Sequence, residues 1–251
     1  MEKVAIIIPI YNAEKTLTSV FDRIPKNILF TINEFILVND SSTDNTRYVI
    51  KNLKLNYKNL IVIQHPKNLG YGAAQKSGFR QALDDDMDIV VILHADGQYP
   101  PEKINDFIEP IKKGEADIIC GSRFLKESPL KQGMPLERYL GKVLLNMVEN
   151  FVLRQKLTVY HEGYRSYSRK VLELINFNNY SNYFAFDSEM LIGAITNKLK
   201  ICETPIPTYY GQEKSYLDPL RYGWVIFLIM IKYLLGQYRD KNKNKKWQIL
   251  F

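Results

Sequence analysis

Ile89-Val90-Val91-Ile92-Leu93-His94-Ala95-Asp96-Gly97-Gln98 joins a fold signal to a chemical one. Its first five residues form a short, β-branched apolar run, the mark of a strand buried on both faces. Its last five place an imidazole, a carboxylate and an amide at alternate positions, and alternate side chains of an extended segment share a face. In an open α/β sheet, ligands bind outside the carboxyl ends of the strands. A hard divalent cation takes carboxylate and carbonyl oxygens. Asp96 and Gln98, with His94 as a further candidate, therefore suit a cation that holds a phosphate. The competing reading is a solvated turn closed by Gly97 and the Pro100-Pro101 pair.

Working outward, similar apolar runs occur at Val4–Ile10, Glu34–Asn39, Leu60–Gln64 and 117–120. Helix patterns separate them. Leu17, Val20, Phe21 and Ile24 fall at i, i+3, i+4 and i+7, and Asp44 is a good N-cap for a helix that turns Val49, Ile50 and Leu53 inward. Residues 71–83 form a third helix pattern, and 101–111 opens with proline, as a helix can. After Gly121 the rhythm changes: a longer helix over 137–153 sets Leu140, Leu144, Met147 and Phe151 on one side. A strand near 158–164, a helix near 187–197 and a strand near 200–208 follow. The alternation predicts an α/β fold with a mostly parallel sheet covered by helices on both faces. With 251 residues, 46% of them hydrophobic, the chain has material for one substantial core, expected over 1–211, and an appendage over 212–251.

Cys120 and Cys202 lie far apart without a CxxC pattern, which points to neither a disulfide framework nor a zinc site. The apolar stretch after Met1-Glu2-Lys3 is too short for a signal peptide. The net charge is +7, and residues 232–251 carry six basic residues against Asp240, so five of the seven charges sit in the last 20 residues. The nearly balanced body argues against a nucleic-acid surface. Residues 224–235 are apolar but for Lys232. As a helix they span about 18 Å, short of a bilayer core of about 30 Å. They suit an interfacial helix, with Tyr222, Trp224, Tyr233 and Tyr238 at headgroup level, the basic tail against anionic lipid, and Trp247, Ile249, Leu250 and Phe251 as an apolar toe. The alternative is a core or oligomer helix with a solvated tail. The first reading predicts a peripheral protein on the cytoplasmic side of a membrane.

Four segments join the strand-end cluster. Pro9-Ile10-Tyr11-Asn12 leaves the first strand, and Val38-Asn39-Asp40-Ser41-Ser42-Thr43-Asp44 leaves the second. Asp40 is suited to accept from a nucleobase N–H; ordinary turn and capping chemistry explains both segments equally. Asn68-Leu69-Gly70-Tyr71-Gly72-Ala73-Ala74 leads into a helix whose small residues and N-terminus suit a phosphate. Gly121-Ser122-Arg123 supplies a guanidinium fork for an anion.

Together these segments resemble the family 2 glycosyltransferases of the GT-A fold, in order and with sensible gaps, from about Val4 to Gly211. Glu162-Gly163-Tyr164-Arg165-Ser166-Tyr167-Ser168-Arg169 looks like a stretch of the polyprenyl-phosphate sugar transferases, a group that includes dolichyl-phosphate mannosyltransferase. The resemblance implies donor contacts from Pro9, Tyr11, Asn12, Glu14, Asp40, Gly70, Gly72, Ala73 and Asp96, with Asp96 and Gln98 holding a divalent cation, Mg²⁺ or Mn²⁺. It implies acceptor-phosphate contacts from Arg123, Arg138 and Arg165. The first position of the family's DxD motif is His94 here, and imidazole suits Mn²⁺ better than Mg²⁺; the alternative to a metal bond is a hydrogen-bonding or acceptor-side role for this ring.

The implied reaction is inverting transfer of a sugar from a GDP- or UDP-sugar to a polyprenyl phosphate, dolichyl or undecaprenyl. Asp96 and Arg123 would serve the departing and attacking groups. A saccharide or other hydroxyl acceptor would need a base, for which Asp187 and Glu189 are the candidates, although both also suit a helix N-terminus. A nucleotide-sugar-binding protein without turnover is the alternative from another class.

Overall fold

The computed structural model describes residues 2–126, 128–131, 133–207 and 219–238. Strands β1 (Val4–Ile10), β2 (Glu34–Asn39), β3 (Leu60–Gln64), β4 (Ile89–Ile92), β5 (Ile118–Ser122), β6 (Arg165–Ser168) and β7 (Ile201–Pro205) form one sheet in the order β3-β2-β1-β4-β6-β5-β7. Its pairs are parallel except for β6, which runs antiparallel to β4 and β5. The chain runs outward from β1 to β2 and β3, then returns to place β4 on the other side of β1. That reversal opens a crevice beyond the carboxyl ends of β1 and β4, the place an open α/β sheet offers a ligand.

The helices are α1 (Leu17–Asp22), α2 (Lys26–Leu29), α3 (Thr46–Asn56), α4 (Tyr71–Asp84), α5 (Ile104–Lys112), α6 (Leu136–Leu153), α7 (Arg169–Leu174), α8 (Phe186–Thr196) and α9 (Pro219–Leu234). Alternation along β1 sends Ala5 and Ile7 into one core and Val4, Ile6 and Ile8 into the other, so the sheet is buried on both faces. The expected strand near 158–164 falls later, at β6. The backbone N–H groups of Thr158 and Val159 instead donate to the Glu203 carboxylate, at 2.9 and 3.2 Å.

Helix α6 turns its expected apolar side outward. Leu136, Leu140, Leu144, Met147 and Phe151 are exposed. The polar residues face the body: Lys142 Nζ donates to Glu162, Asn146 and Asn150 donate to the Leu157 carbonyl, and Glu149 pairs with His161 at 2.7 Å. Helix α9 buries Ile226, Ile229 and Met230 against the body and exposes Trp224, Phe227, Ile231 and Leu234. No helix among the described residues is long and apolar enough to cross a membrane. The expected boundary after residue 211 and the basic tail from residue 239 lie outside the described residues.

Candidate active site

His94 to Gln98 follow β4 into the crevice. The Asp96 carboxylate is half-buried; its Oδ1 accepts from the Gln98 backbone at 3.0 Å. Gly97 takes a positive φ of 75°, and its carbonyl accepts from Arg23 at 2.9 Å, with Arg23 held in turn by Glu102. This turn is therefore fastened from outside, which aims the Asp96 carboxylate without consuming it. No three His, Cys, Asp or Glu side chains among the described residues form a metal cluster. One carboxylate with a neighbouring amide and imidazole fits a cation whose other ligands are diphosphate oxygens.

His94 stands in an aromatic cage. Its ring meets Tyr71 and Tyr99 edge-on, with centroids 5.3 and 4.8 Å away. Nε2 lies 2.8 Å from the Tyr71 hydroxyl, which also donates to Asp187 Oδ2 at 3.1 Å. The other Asp187 oxygen accepts from Gln75 at 2.9 Å. A Cβ at Gly163 would come within 2.5 Å of His94 Nε2 and 2.6 Å of the Tyr71 hydroxyl, so this glycine is what lets the ring fit. Burial first, and then the Asp187 charge, push the Tyr71 hydroxyl pKa well above its ordinary range.

Tyr99 links this cage to a basic cluster. Its hydroxyl donates to Glu162 at 3.1 Å, and the Arg123 guanidinium lies over its ring, 5.3 Å from the centroid. Glu162 is buried and pairs with Lys142 at 2.9 Å and Arg123 at 3.5 Å. Burial would raise the Glu162 pKa, but the charges of Lys142 and Arg123 outweigh that and hold it down at about 2. Arg123 and Lys142 thus converge on Glu162 beside the strand-end turn, and Arg138 stands exposed one helical turn before Lys142.

On the other side of the crevice the loops after β1 and β2 are fastened together. Asn12 N donates to Ser42 Oγ, Asn12 Oδ1 accepts from Thr43 N at 2.8 Å, and Glu14 Oε2 accepts from Asn45 N at 2.9 Å. Pro9 is half-buried, and Tyr11, 46% exposed, lies at the rim. Asp40 is buried and accepts from the backbone N–H groups of Leu69 and Gly70, each at 2.8 Å, and from His65 at 2.6 Å. Its carboxylate fastens the end of β2 to the glycine turn, and a nucleobase would have to share it.

The chain matches the family model "Glycosyl transferase family 2" over residues 5–175. It belongs to glycosyl transferase family 2. A UDP-N-acetylglucosamine–dolichyl-phosphate N-acetylglucosaminyltransferase of Methanococcus voltae is 30% identical over 94% of this chain and 97% of that relative. A polyprenol monophosphomannose synthase of Mycolicibacterium smegmatis is 27% identical over 82% of this chain and 77% of that one. Among solved structures, glucosyl-3-phosphoglycerate synthase from Mycobacterium tuberculosis in complex with UDP superposes with a TM-score of 0.67. That match is at 18% identity and covers 94% of this chain and 80% of the other; such a likeness speaks for the fold.

In this glycosyltransferase several expected roles are corrected. Arg165 is buried, and its guanidinium donates to the carbonyls of Glu162 at 2.8 Å, Asp187 at 2.5 Å and Tyr160 at 2.5 Å; it ties loops together and does not face an acceptor phosphate. The start of α4 is packed against protein. The Asn182 carbonyl accepts from Ala73 N at 3.1 Å, and a Cβ on Gly70 or Gly72 would strike the Asn182 or Ser181 carbonyl at 2.5 or 2.6 Å. These small residues serve the packing of α4 against the 181–186 segment. Asp187 and Glu189 point apart. Glu189 is buried, accepts from Ser181 N at 2.6 Å and Tyr238 at 2.9 Å, and has its pKa raised by that burial; it anchors the C-terminal helix rather than facing an acceptor. Both Asp187 oxygens accept hydrogen bonds within the protein, from Tyr71 and Gln75.

Sequence reasoning passed over Tyr71, Tyr99, Glu162, Gly163 and Lys142. Four of these lie inside or beside quoted motifs, where an aromatic or acidic residue amid small ones was a signal. Lys142 had only its spacing of four from Arg138.

Proposed function

We propose that this glycosyltransferase moves a sugar from a nucleotide-sugar, GDP- or UDP-linked, to a polyprenyl phosphate at a membrane surface, with inversion. The observation that carries this reading is the inverted helix α6. One face sends Lys142 to the Glu162–Arg123 cluster, while the other exposes a row of large apolar side chains to the surroundings. A contiguous apolar patch of this kind marks an interaction surface. Residues 123–156 hold seven basic and three acidic residues, and 219–251 hold seven and one; together they carry +10, against −3 for the rest of the chain, which sums to +7. Apolar stripes set among positive charge complement an anionic lipid surface.

The acceptor chemistry agrees. A phosphate monoester with a second pKa of about 6 is already anionic at neutral pH and needs no base. The carboxylates Asp187 and Glu189 are both engaged within the protein, which removes support for a hydroxyl acceptor. Arg123 and Lys142, with Arg138 at the rim, orient the phosphate opposite the departing diphosphate. Asp96 and Gln98 would hold a divalent cation, Mn²⁺ or Mg²⁺, which when bound stabilises the charge on the leaving diphosphate. The loops of Tyr11, Asn12, Glu14 and Asp40 would shape the nucleoside pocket. Two relatives support the acceptor class, being named for dolichyl-phosphate and polyprenol-phosphate products or acceptors.

The test is product analysis by mass spectrometry with UDP-N-acetylglucosamine, UDP-glucose and GDP-mannose, offered polyprenyl phosphate in anionic liposomes or free saccharides. A glycosylated lipid phosphate is expected. Transfer to saccharides with none to lipid phosphate would overturn the reading.

A further inference from the structure

The Asp187–Tyr71–His94 chain of hydrogen bonds has a directional consequence. The Tyr71 hydroxyl has one proton to donate. Asp187 Oδ2, a buried carboxylate oxygen, lies 3.1 Å from the hydroxyl and can only accept. The Tyr71 proton therefore goes to Asp187, and the tyrosine oxygen must accept from its other neighbour. That neighbour is His94 Nε2, 2.8 Å away. The neutral imidazole then carries its proton on Nε2 and its lone pair on Nδ1. No hydrogen bond to Nδ1 occurs among the described residues, and the half-buried ring is two residues from Asp96 in the strand-end turn. Gly163 against Nε2 and the edge-on rings of Tyr71 and Tyr99 stop the ring from turning over.

We propose that Tyr71 and Asp187 are positioning residues that lock His94 as the Nε2–H tautomer and so hold Nδ1 as the nitrogen that meets the divalent cation of the donor complex. The inference rests on the nucleotide-sugar reading for its cation, but not for its tautomer. A ring N–H fixed by an anionic partner is the usual means by which a ligating histidine keeps its tautomer and basicity, and loss of such a partner typically weakens metal binding about 10- to 100-fold. Here the carboxylate acts through a tyrosine, which lets the charge sit in the interior under α8 while its effect reaches the crevice. Asp187 thereby has a task that explains both its burial and its engaged oxygens.

The chain has three histidines, so the His94 ring is assignable in a ¹⁵N spectrum by comparison with His94→Gln. In nucleotide-free protein at pH 8, the Nε2–H form is expected for His94, and Tyr71→Phe is expected to give a mixture of tautomers. A wild-type His94 protonated on Nδ1, or a tautomer unchanged in Tyr71→Phe, would overturn the relay. Asp187→Asn provides a second variant with the hydroxyl retained; it should also loosen the tautomer. For the cation, pulsed EPR of Mn²⁺ with UDP, and in parallel with GDP, should show coupling to a directly bound ¹⁴N that disappears in His94→Gln. Tyr71→Phe should bind Mn²⁺ in that complex about 10-fold more weakly. A Mn²⁺–nucleotide complex that forms without ¹⁴N coupling would overturn the cation half. Failure of both nucleotides to bind would break the donor reading and the cation half together, while the spectrum of the free protein still decides the tautomer.

Discussion

Helices α5 and α6 each gather apolar residues on one helical side and use them in opposite ways. On α5, Ile104, Phe107, Ile108 and Ile111 are buried against the sheet. On α6, Leu136, Leu140, Leu144, Met147 and Phe151 are exposed, and the inward side combines Leu145, Val152 and Leu153 with the polar contacts of Lys142, Asn146, Glu149 and Asn150. Periodicity tells which residues share a face; it does not tell what covers that face. The difference lies in the partners. Against α5 stands an apolar sheet, whereas against α6 stand Glu162, His161 and the Leu157 carbonyl, groups that must find hydrogen bonds when buried.

The comparison can be broken most directly by truncation. Phe107→Ala on α5 should cost about 3–5 kcal/mol in a denaturant titration, while Phe151→Ala on α6 should stay within about 0.5 kcal/mol. Similar costs at the two sites would mean that the α6 stripe is covered by protein after all. Next in size is the inward face of α6, through Glu162. Its carboxyl pKa is depressed to about 2 in the folded state, so its stabilisation is full above about pH 4.5 and is lost as the pH falls toward 2. Wild type should therefore exceed Glu162→Gln in stability by on the order of 2–3 kcal/mol at pH 6, with the gap closing near pH 2; a gap independent of pH would contradict the charge pairing.

Asp96→Ala should lower turnover by roughly 100-fold or more with an unchanged melting temperature, because its carboxylate holds little of the fold together. Unfolding of this variant would assign Asp96 to structure. The smallest effect is expected on the outer face of α6. Leu144→Ser combined with Phe151→Ser should weaken binding to anionic vesicles about 10-fold and leave activity on a short, water-soluble prenyl phosphate intact. Salt should weaken vesicle binding further by screening the basic rim. Equal vesicle binding by the double variant would remove the lipid surface from the reading.

Much of the fold was legible. The runs at Val4–Ile10, Glu34–Asn39 and Leu60–Gln64 match β1, β2 and β3; β1 and β2 are buried on both faces and so are built of apolar residues, while β3 at the sheet's edge is mostly half-buried. Strand β6 was not, since Arg165-Ser166-Tyr167-Ser168 is polar for reasons of tertiary contact: Arg165 binds three carbonyls and Ser166 donates to the Phe107 carbonyl. In the candidate site, the motif segments lie at the carboxyl ends of the strands, while some of their polar side chains are engaged within the protein itself. Arg165, Glu189 and Gly72 are motif residues that each have a partner well outside their own motif, Asp187, Tyr238 and Ser181 in turn, and nothing local encodes those pairings.

Gly163 imposes an order on change. Any side chain there collides with His94 and with the Tyr71 hydroxyl at once. A lineage of this protein could acquire alanine at 163 only after both obstacles had shrunk, for instance by His94→Asp and Tyr71→Phe; taken first, the same alanine would dislodge the ring. The order holds in both directions: while 163 has a methyl group there is no room for the histidine ring at 94, so the choice of imidazole or carboxylate at the strand end is tied to the size of a neighbour in the wall of the cage.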